Sequence, residues 1–383
     1  MCKFMHGLSI LFIDQFRDVA GGQVVLQAMV KNARDEGLEV GVLAPMGGGL
    51  EAALSSRWGS NVALYDLKQL DLENGEKGVR DIVRLIAYCV YVLRFWRLAS
   101  RYQVIYVNGC RVAPAFMLLS LLLPWKRWLY HVHLCHSRLE KFVIALISLL
   151  PSTHEIVFAS SFIGEDFFRS IPWLRNSRRF VVLENCLSPA FANLPFVDRF
   201  SEGQSNLTVA LIGRVSPEKG HAVLPRLARH FPSVHFLIIG RTVPAQASFL
   251  HSLLEERLPN LIYLGETSHL PKLLEEQHVQ ISIVPSRWQE AFGLTSIESM
   301  AASCVTLVSH NGMLASIAKR TGAPCFDDDD QLEKLLEQMV ESNPVSLRKL
   351  ARTEYESVHS QFGTNIFSRR FISLVCGLSP AAA

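Results

Sequence analysis

Apolar positions along the chain follow two alternating rhythms. Short β-rich runs predict strands at Ser9–Ile13, Val40–Leu43, Val104–Val107, Arg127–His131, Glu155–Phe158 and Arg179–Leu183. Longer stretches with helical spacing lie between them, at Val24–Glu36, Val79–Ser100, Val112–Leu122, Arg138–Leu149 and Phe162–Arg169. A mixed, proline-containing segment follows from Ser188 to Ser205, ending in the polar run SEGQS, and it reads as a domain boundary. A second series then begins, with strands at Thr208–Ile212, His235–Ile239, Leu261–Leu264, Gln280–Val284 and Thr306–Ser309. Helices are predicted between and after these, the last at Gln331–Ser342. Strand, helix, strand in regular succession predicts α/β architecture, with two Rossmann-like doubly wound domains and a ligand cleft between them. The expected divisions are an amino-terminal α/β domain at 1–188, a second α/β domain at 206–363 and a carboxyl-terminal helix at 364–383.

Length and composition narrow the class. A chain of 383 residues exceeds what one hydrophobic core ordinarily fills and suits two domains. With 49% hydrophobic and 19% charged residues it is neither disordered nor collagenous. None of the eight cysteines forms a CxxC pair, which excludes a zinc ribbon and fits a reducing compartment. The start, MCKFMHGLSILFID, reads as a buried strand rather than a cleavable leader, so a cytoplasmic protein is expected.

Mean hydropathy is +0.20, yet the longest uncharged stretch, Val112 to Trp125, has 14 residues, too few to span a bilayer. Residues 1–190 hold 21 Lys and Arg against 16 Asp and Glu, so this half is both basic and apolar. It could rest on the inner face of an anionic membrane, or its helices could simply be well buried; the second is the simpler expectation.

Four stretches carry candidate chemistry. Gly21-Gly22 lies at a strand-to-helix turn, where bare amides can approach an anion, but the GxGxxG dinucleotide fingerprint is absent. The strand end His131-Val132-His133 puts two imidazoles on one face, with Cys135 and His136 following. A metal site is one reading of that cluster. A histidine that meets a phosphate or sugar hydroxyl while the other packs is the favoured one. Gly213-Arg214-Val215-Ser216-Pro217-Glu218-Lys219-Gly220 follows a strand and can aim two cations at one place, without being a P-loop. In Pro285–Glu298, Glu290 occupies a loop with Gly293 while Glu298 begins the next helix, so two carboxylates and exposed amides share one neighbourhood. Asp327–Asp330 contains a D-x-D pattern, but it directly precedes an amphipathic helix and reads as a solvated cap.

The third and fourth stretches together, GRVSPEKG and then PSRWQEAFGLTSIESMA, resemble the GRxxxxKG and E-x7-E signatures of retaining glycosyltransferase family four, which has the GT-B fold. The resemblance runs over nearly the whole chain, and it implies that 1–188 is the acceptor-side domain, 206–363 the nucleotide-sugar-binding domain and 364–383 a helix that crosses back to the first domain. It departs at Cys186, where the family usually has Gly, at Ser303, where Gly is common, and at Ala315, where an acid is usual.

The resemblance implies that Arg214 and Lys219 grip the donor diphosphate and stabilise it as it leaves, while Glu298 accepts the ribose hydroxyls. It implies that Glu290 faces the donor sugar, with the amides of Phe292, Gly293 and Leu294 reaching sugar and phosphate. Gly22 would lie beside the diphosphate or acceptor, and His133 by preference, His131 otherwise, would contact the transferring sugar. The implied enzyme is a retaining, metal-independent hexosyltransferase with no cofactor beyond a UDP-sugar or GDP-sugar donor. Its acceptor would be a carbohydrate or lipid-linked molecule in surface polysaccharide or glycolipid synthesis, with no nucleic-acid partner. The alternatives are a catalytically silent sugar-nucleotide-binding subunit and a nucleotide-sugar epimerase of the same fold.

Overall fold

The computed structural model describes residues 7–70, 79–134, 137–200 and 206–377. Cys135, His136 and the SEGQS run fall outside the described residues. The chain divides into two compact units, one of Met1–Asn185 with Asn365–Ala383 and the other of Cys186–Thr364.

The first unit is built on seven parallel strands: β1 (Ser9–Asp14), β2 (Glu39–Ala44), β3 (Ala63–Asp66), β4 (Val104–Asn108), β5 (Arg127–Val132), β6 (Thr153–Phe158) and β7 (Phe180–Val182). Their order in the sheet is β3-β2-β1-β4-β5-β6-β7. The strand order reverses between β1 and β4, which makes their carboxyl ends the place where a ligand is expected. Connecting helices are α1 (Gly21–Asp35), α2 (Gly49–Trp58), α3 (Val79–Val92), α4 (Trp96–Ala99), α5 (Ala113–Leu122), α6 (Arg138–Leu149) and α7 (Ser161–Ser170). β1 and β4 are buried along their whole length, as strands covered on both faces must be.

The second unit has six parallel strands, β8 (Thr208–Ile212), β9 (His235–Ile239), β10 (Leu261–Gly265), β11 (Ile281–Val284), β12 (Val305–Ser309) and β13 (Cys325–Phe326), in the order β10-β9-β8-β11-β12-β13. Its helices are α8 (Leu224–His230), α9 (Ala247–Leu254), α10 (Leu270–Glu276), α11 (Leu294–Ala301), α12 (Met313–Thr321), α13 (Asp329–Glu341) and α14 (Pro344–Phe362). One core of Val, Leu, Ile and Phe side chains joins β8, β9, β11 and β12 to α8, α13 and α14. The last helix, α15 (Thr364–Cys376), packs in the first unit, where Phe371 stacks on Phe12 at 6.2 Å between ring centroids.

Five elements escaped the sequence pattern: α2, β3, α12, β13 and the 19-residue α14. The D-x-D stretch caps α13, with Asp328 accepting the Gln331 N–H at 2.8 Å.

Candidate functional site

In the first unit the carboxyl ends of β1, β4 and β5 bring together Asp14, Asn108, His131 and His133. Asp14 is fully buried and accepts bonds from the Phe16 N–H at 2.9 Å, Gln23 Nε2 at 3.0 Å and Asn108 Nδ2 at 2.6 Å. Burial pushes its carboxyl up, and these donors oppose the shift. Because Asn108 donates its amide to Asp14, its carbonyl is the group that meets His133, whose Nε2 lies 2.7 Å away. His133 therefore carries its proton on Nε2 and keeps the Nδ1 lone pair.

Gly22, in the first turn of α1, lies against the same ring; a Cβ placed there would stand 3.4 Å from His133 Cδ2. Gly22 and His133 are thus brought together. His131 sits beside them, with its ring 4.1 Å from that of His133 and its Nδ1 3.0 Å from the Tyr106 hydroxyl. Burial holds the pKa of His133 down to about 4, and burial together with His133 holds His131 well below the ordinary value. Both are neutral imidazoles near pH 7. Among the described residues no three His, Cys, Asp or Glu side chains are placed to hold a metal ion.

In the second unit the loop after β8 and the loop after β11 are locked to one another. Gly220 has φ of +79°, and a Cβ there would lie 1.9 Å from the Pro285 carbonyl oxygen, so only glycine permits this approach. The Arg287 N–H donates to the Glu218 carbonyl at 2.8 Å. Lys219 Nζ then reaches Glu290 Oε1 at 2.6 Å, an oxygen that also accepts from Ser286 Oγ at 2.5 Å. The Lys219 ammonium lies 5.4 Å from the centre of the Trp288 ring, within cation–π range. Burial pushes the Glu290 pKa up, but the Lys219 charge and the bonds from Lys219 and Ser286 outweigh it, and the net shift is downward. Glu290 is held as a carboxylate.

The backbone of Glu290 is fixed as well. It bridges Gly312, whose φ of +65° and lack of a side chain leave room for the Glu290 carbonyl, and that carbonyl accepts the Met313 N–H at 2.9 Å. Arg214 pairs with Glu218 of its own loop at 2.8 Å, at a solvent-exposed position. The two loop cations therefore rest on different carboxylates.

Phe292 is buried, its ring edge-on to Phe362 at 5.7 Å, so its backbone is the part left for a ligand. Gly293 takes φ of +95° as the residue before α11, and Leu294 opens that helix. Glu298 lies one turn further along. Burial pushes its carboxyl up to about 7, and a bond with the Ser188 side chain partly offsets that.

Sequence reasoning missed Asp14, Asn108, Ser286 and Ser188. The first two had a readable signal, since each is the polar residue that closes an otherwise apolar strand, SILFID and VIYVN.

These geometries belong to a fold already known. Anabaena HepE in complex with UDP and glucose superposes with a TM-score of 0.78 at 16% identity, covering 97% of this chain and all of that one. Sucrose-phosphate synthase from Thermosynechococcus elongatus gives 0.73 at 16% identity, covering 98% and 100%. The fold is that of the GT-B glycosyltransferases, two parallel-sheet α/β domains. Within it, residues 198–356 match the family model described as Glycosyl transferases group 1, a segment that contains both locked loops. The chain is also 31% identical over 126 residues to a phosphatidyl-myo-inositol mannosyltransferase of Mycolicibacterium smegmatis, a stretch spanning 31% of this chain and 31% of that relative.

Proposed function

We propose that the protein is a group 1 glycosyltransferase. It moves a sugar from a nucleotide diphosphate sugar, carried on UDP or GDP, to a carbohydrate or lipid-linked acceptor in the cytoplasm. The observation that carries this reading is the Lys219–Glu290 pair at 2.6 Å, which joins the two signature loops at the mouth of α11. A leaving nucleoside diphosphate gathers negative charge, and cations fixed beforehand beside a helix amino terminus stabilise it without reorganising. Lys219 is fixed in that way; Arg214 swings from Glu218 to the phosphates. Glu298 takes the ribose hydroxyls, and Glu290, with the amides of Phe292, Gly293 and Leu294, faces the transferring sugar.

In the first unit the neutral His133, beside Gly22, contacts that sugar from the acceptor side. With no carboxylate nucleophile assigned, attack from the leaving-group face with retention of configuration fits, and the cationic loop performs the charge neutralisation without a metal. The UDP and glucose held in the HepE complex support a UDP-sugar donor, and the likeness to a phosphatidyl-myo-inositol mannosyltransferase supports a glycolipid or surface-polysaccharide pathway.

Titration calorimetry with UDP, GDP and ADP, in EDTA, tests the donor reading. Binding of one diphosphate is expected, weakened at least tenfold in Lys219→Ala. Absence of binding to all three in a folded protein overturns the reading. Anomeric proton signals of the product then decide between retention and inversion.

A further inference from the structure

Not all of the apolar excess of the first unit is buried. The right-handed crossovers from β3 to β4, β4 to β5 and β5 to β6 place α3, α5 and α6 on one face of the sheet. In that layer α3 packs beside α5, and α5 beside α6. On α3, Val83, Ile86 and Val90 repeat at helical spacing, as do Leu139, Phe142 and Leu146 on α6, and both stripes face solvent. Between them α5 exposes Leu118, Leu121 and Leu122 while it buries Phe116 and Leu119, and Trp125 follows, 71% exposed. Single exposed apolar residues are ordinary; a continuous outer surface over three adjoining helices is not.

The charge on this segment has one sign. Between Asp81 and Glu140 the sequence holds eight Lys and Arg and no Asp or Glu. Arg94 and Arg97 are exposed after α3, resting over the rings of Tyr91 and Trp96, while Arg111 is exposed just before α5 and Arg138 is exposed as the first residue of α6. Cations thus stand at both ends of the apolar layer, with Trp96 and Trp125, the residue type favoured at a lipid headgroup level, near one of them. A second copy docked on this face would set mostly like charges against like, since the acids of these three helices are Asp81 at the start of α3 and Glu140, which is engaged in capping α6. An anionic lipid surface answers both features at once. Among the described residues no helix is long and apolar enough to cross a membrane, so the contact would be a surface one.

We infer that the outer face of α3, α5 and α6 docks the protein on an anionic lipid bilayer. The surface is independent of the glycosyl-transfer site, and its test needs no donor. The full chain is mixed with vesicles of phosphatidylcholine, with or without phosphatidylglycerol, and floated through a density gradient. Binding is expected to be about tenfold or more stronger with phosphatidylglycerol present, and to fall as salt is raised. Leu122→Ser with Phe142→Ser, both at exposed positions, should lose that binding while the circular dichroism and nucleotide affinity of the wild type are kept. Arg94→Glu with Arg97→Glu should abolish the preference for phosphatidylglycerol. Equal binding to both vesicle types, or full binding by the serine variant, overturns the inference. So does a wild-type dimer that the serine variant dissolves while neither protein floats, which would assign the face to a second copy.

Discussion

Ser303 shows how one residue can carry a conformation that its type disfavours. It follows α11 with φ of +66°, a left-handed conformation that costs a residue with a side chain about 1 kcal/mol or more. The compensation is a bond from the Val197 N–H to Ser303 Oγ at 3.0 Å. Ser303→Gly should trade one term for the other and stay within about 1 kcal/mol of wild type. Ser303→Ala keeps the unfavourable φ and leaves the Val197 amide unpaired, so a loss of about 1–2 kcal/mol is expected in urea denaturation. Equal stability of Ser303→Ala and the wild type would show that the hydroxyl contributes nothing.

Asn108 works at the same scale. Its amide serves Asp14 and its carbonyl sets the tautomer of His133, so Asn108→Ala should lower kcat about tenfold or more with little change in donor KM. An unchanged kcat in the folded variant removes imidazole orientation from the mechanism. Because His133 is held neutral down to about pH 4, the wild-type rate should show no limb near pH 6.5 from this residue.

At the scale of elements, α11 carries a carboxyl whose two tasks conflict. The Glu298 pKa is raised from 4.5 to about 7, so between those values the folded protein keeps a proton that the unfolded chain has released. Its contribution to stability is complete below pH 4.5, declines as pH rises through that window, and stays lost above 7. Glu298→Gln cannot ionise. It should melt with the wild type below pH 4.5 and at a higher temperature above pH 7, yet bind nucleotide more weakly by about 1.5–3 kcal/mol. A variant that binds as tightly as wild type would end the ribose assignment.

The same helix was legible in the sequence, because the apolar run of β11, then Gly293, then an amphipathic stretch spells strand, turn and helix. α14 was not, and the reason is physical. Its buried stripe runs through Leu347, Ala351, Glu354 and Val358, so two of the core positions hold a methyl group and a carboxylate. Glu354 is buried because it accepts the Thr306 N–H at 2.9 Å, a pairing no local pattern announces. β13 has two residues and β3 is a half-exposed edge strand, both too brief to show a period. The site was readable in the same measure. Lys219 and Glu290 stand out by type and spacing, whereas Ser286, which holds Glu290 in place, is one serine among many until the loop folds.

For the whole molecule, each unit owns its sheet, and both signature loops lie within Cys186–Thr364. A ligand held by Lys219, Glu290 and Glu298 is therefore linked first to the unfolding of that unit. At one hundred times Kd, linkage adds about 2.7 kcal/mol to the state that binds. The tryptophans make this measurable, because of the six only Trp288 belongs to the second unit, and it lies beside Lys219. The fluorescence difference between wild type and Trp288→Phe then follows the second unit, while the other five indoles follow the first. Saturating UDP or GDP, whichever binds, should move the Trp288 transition to a higher denaturant concentration by an amount that grows with the logarithm of ligand concentration. A smaller movement is expected in the transition of the other five. If their transition moves more than that of Trp288, the nucleotide is held chiefly by the first unit, and the assignment of the donor to the two locked loops is wrong.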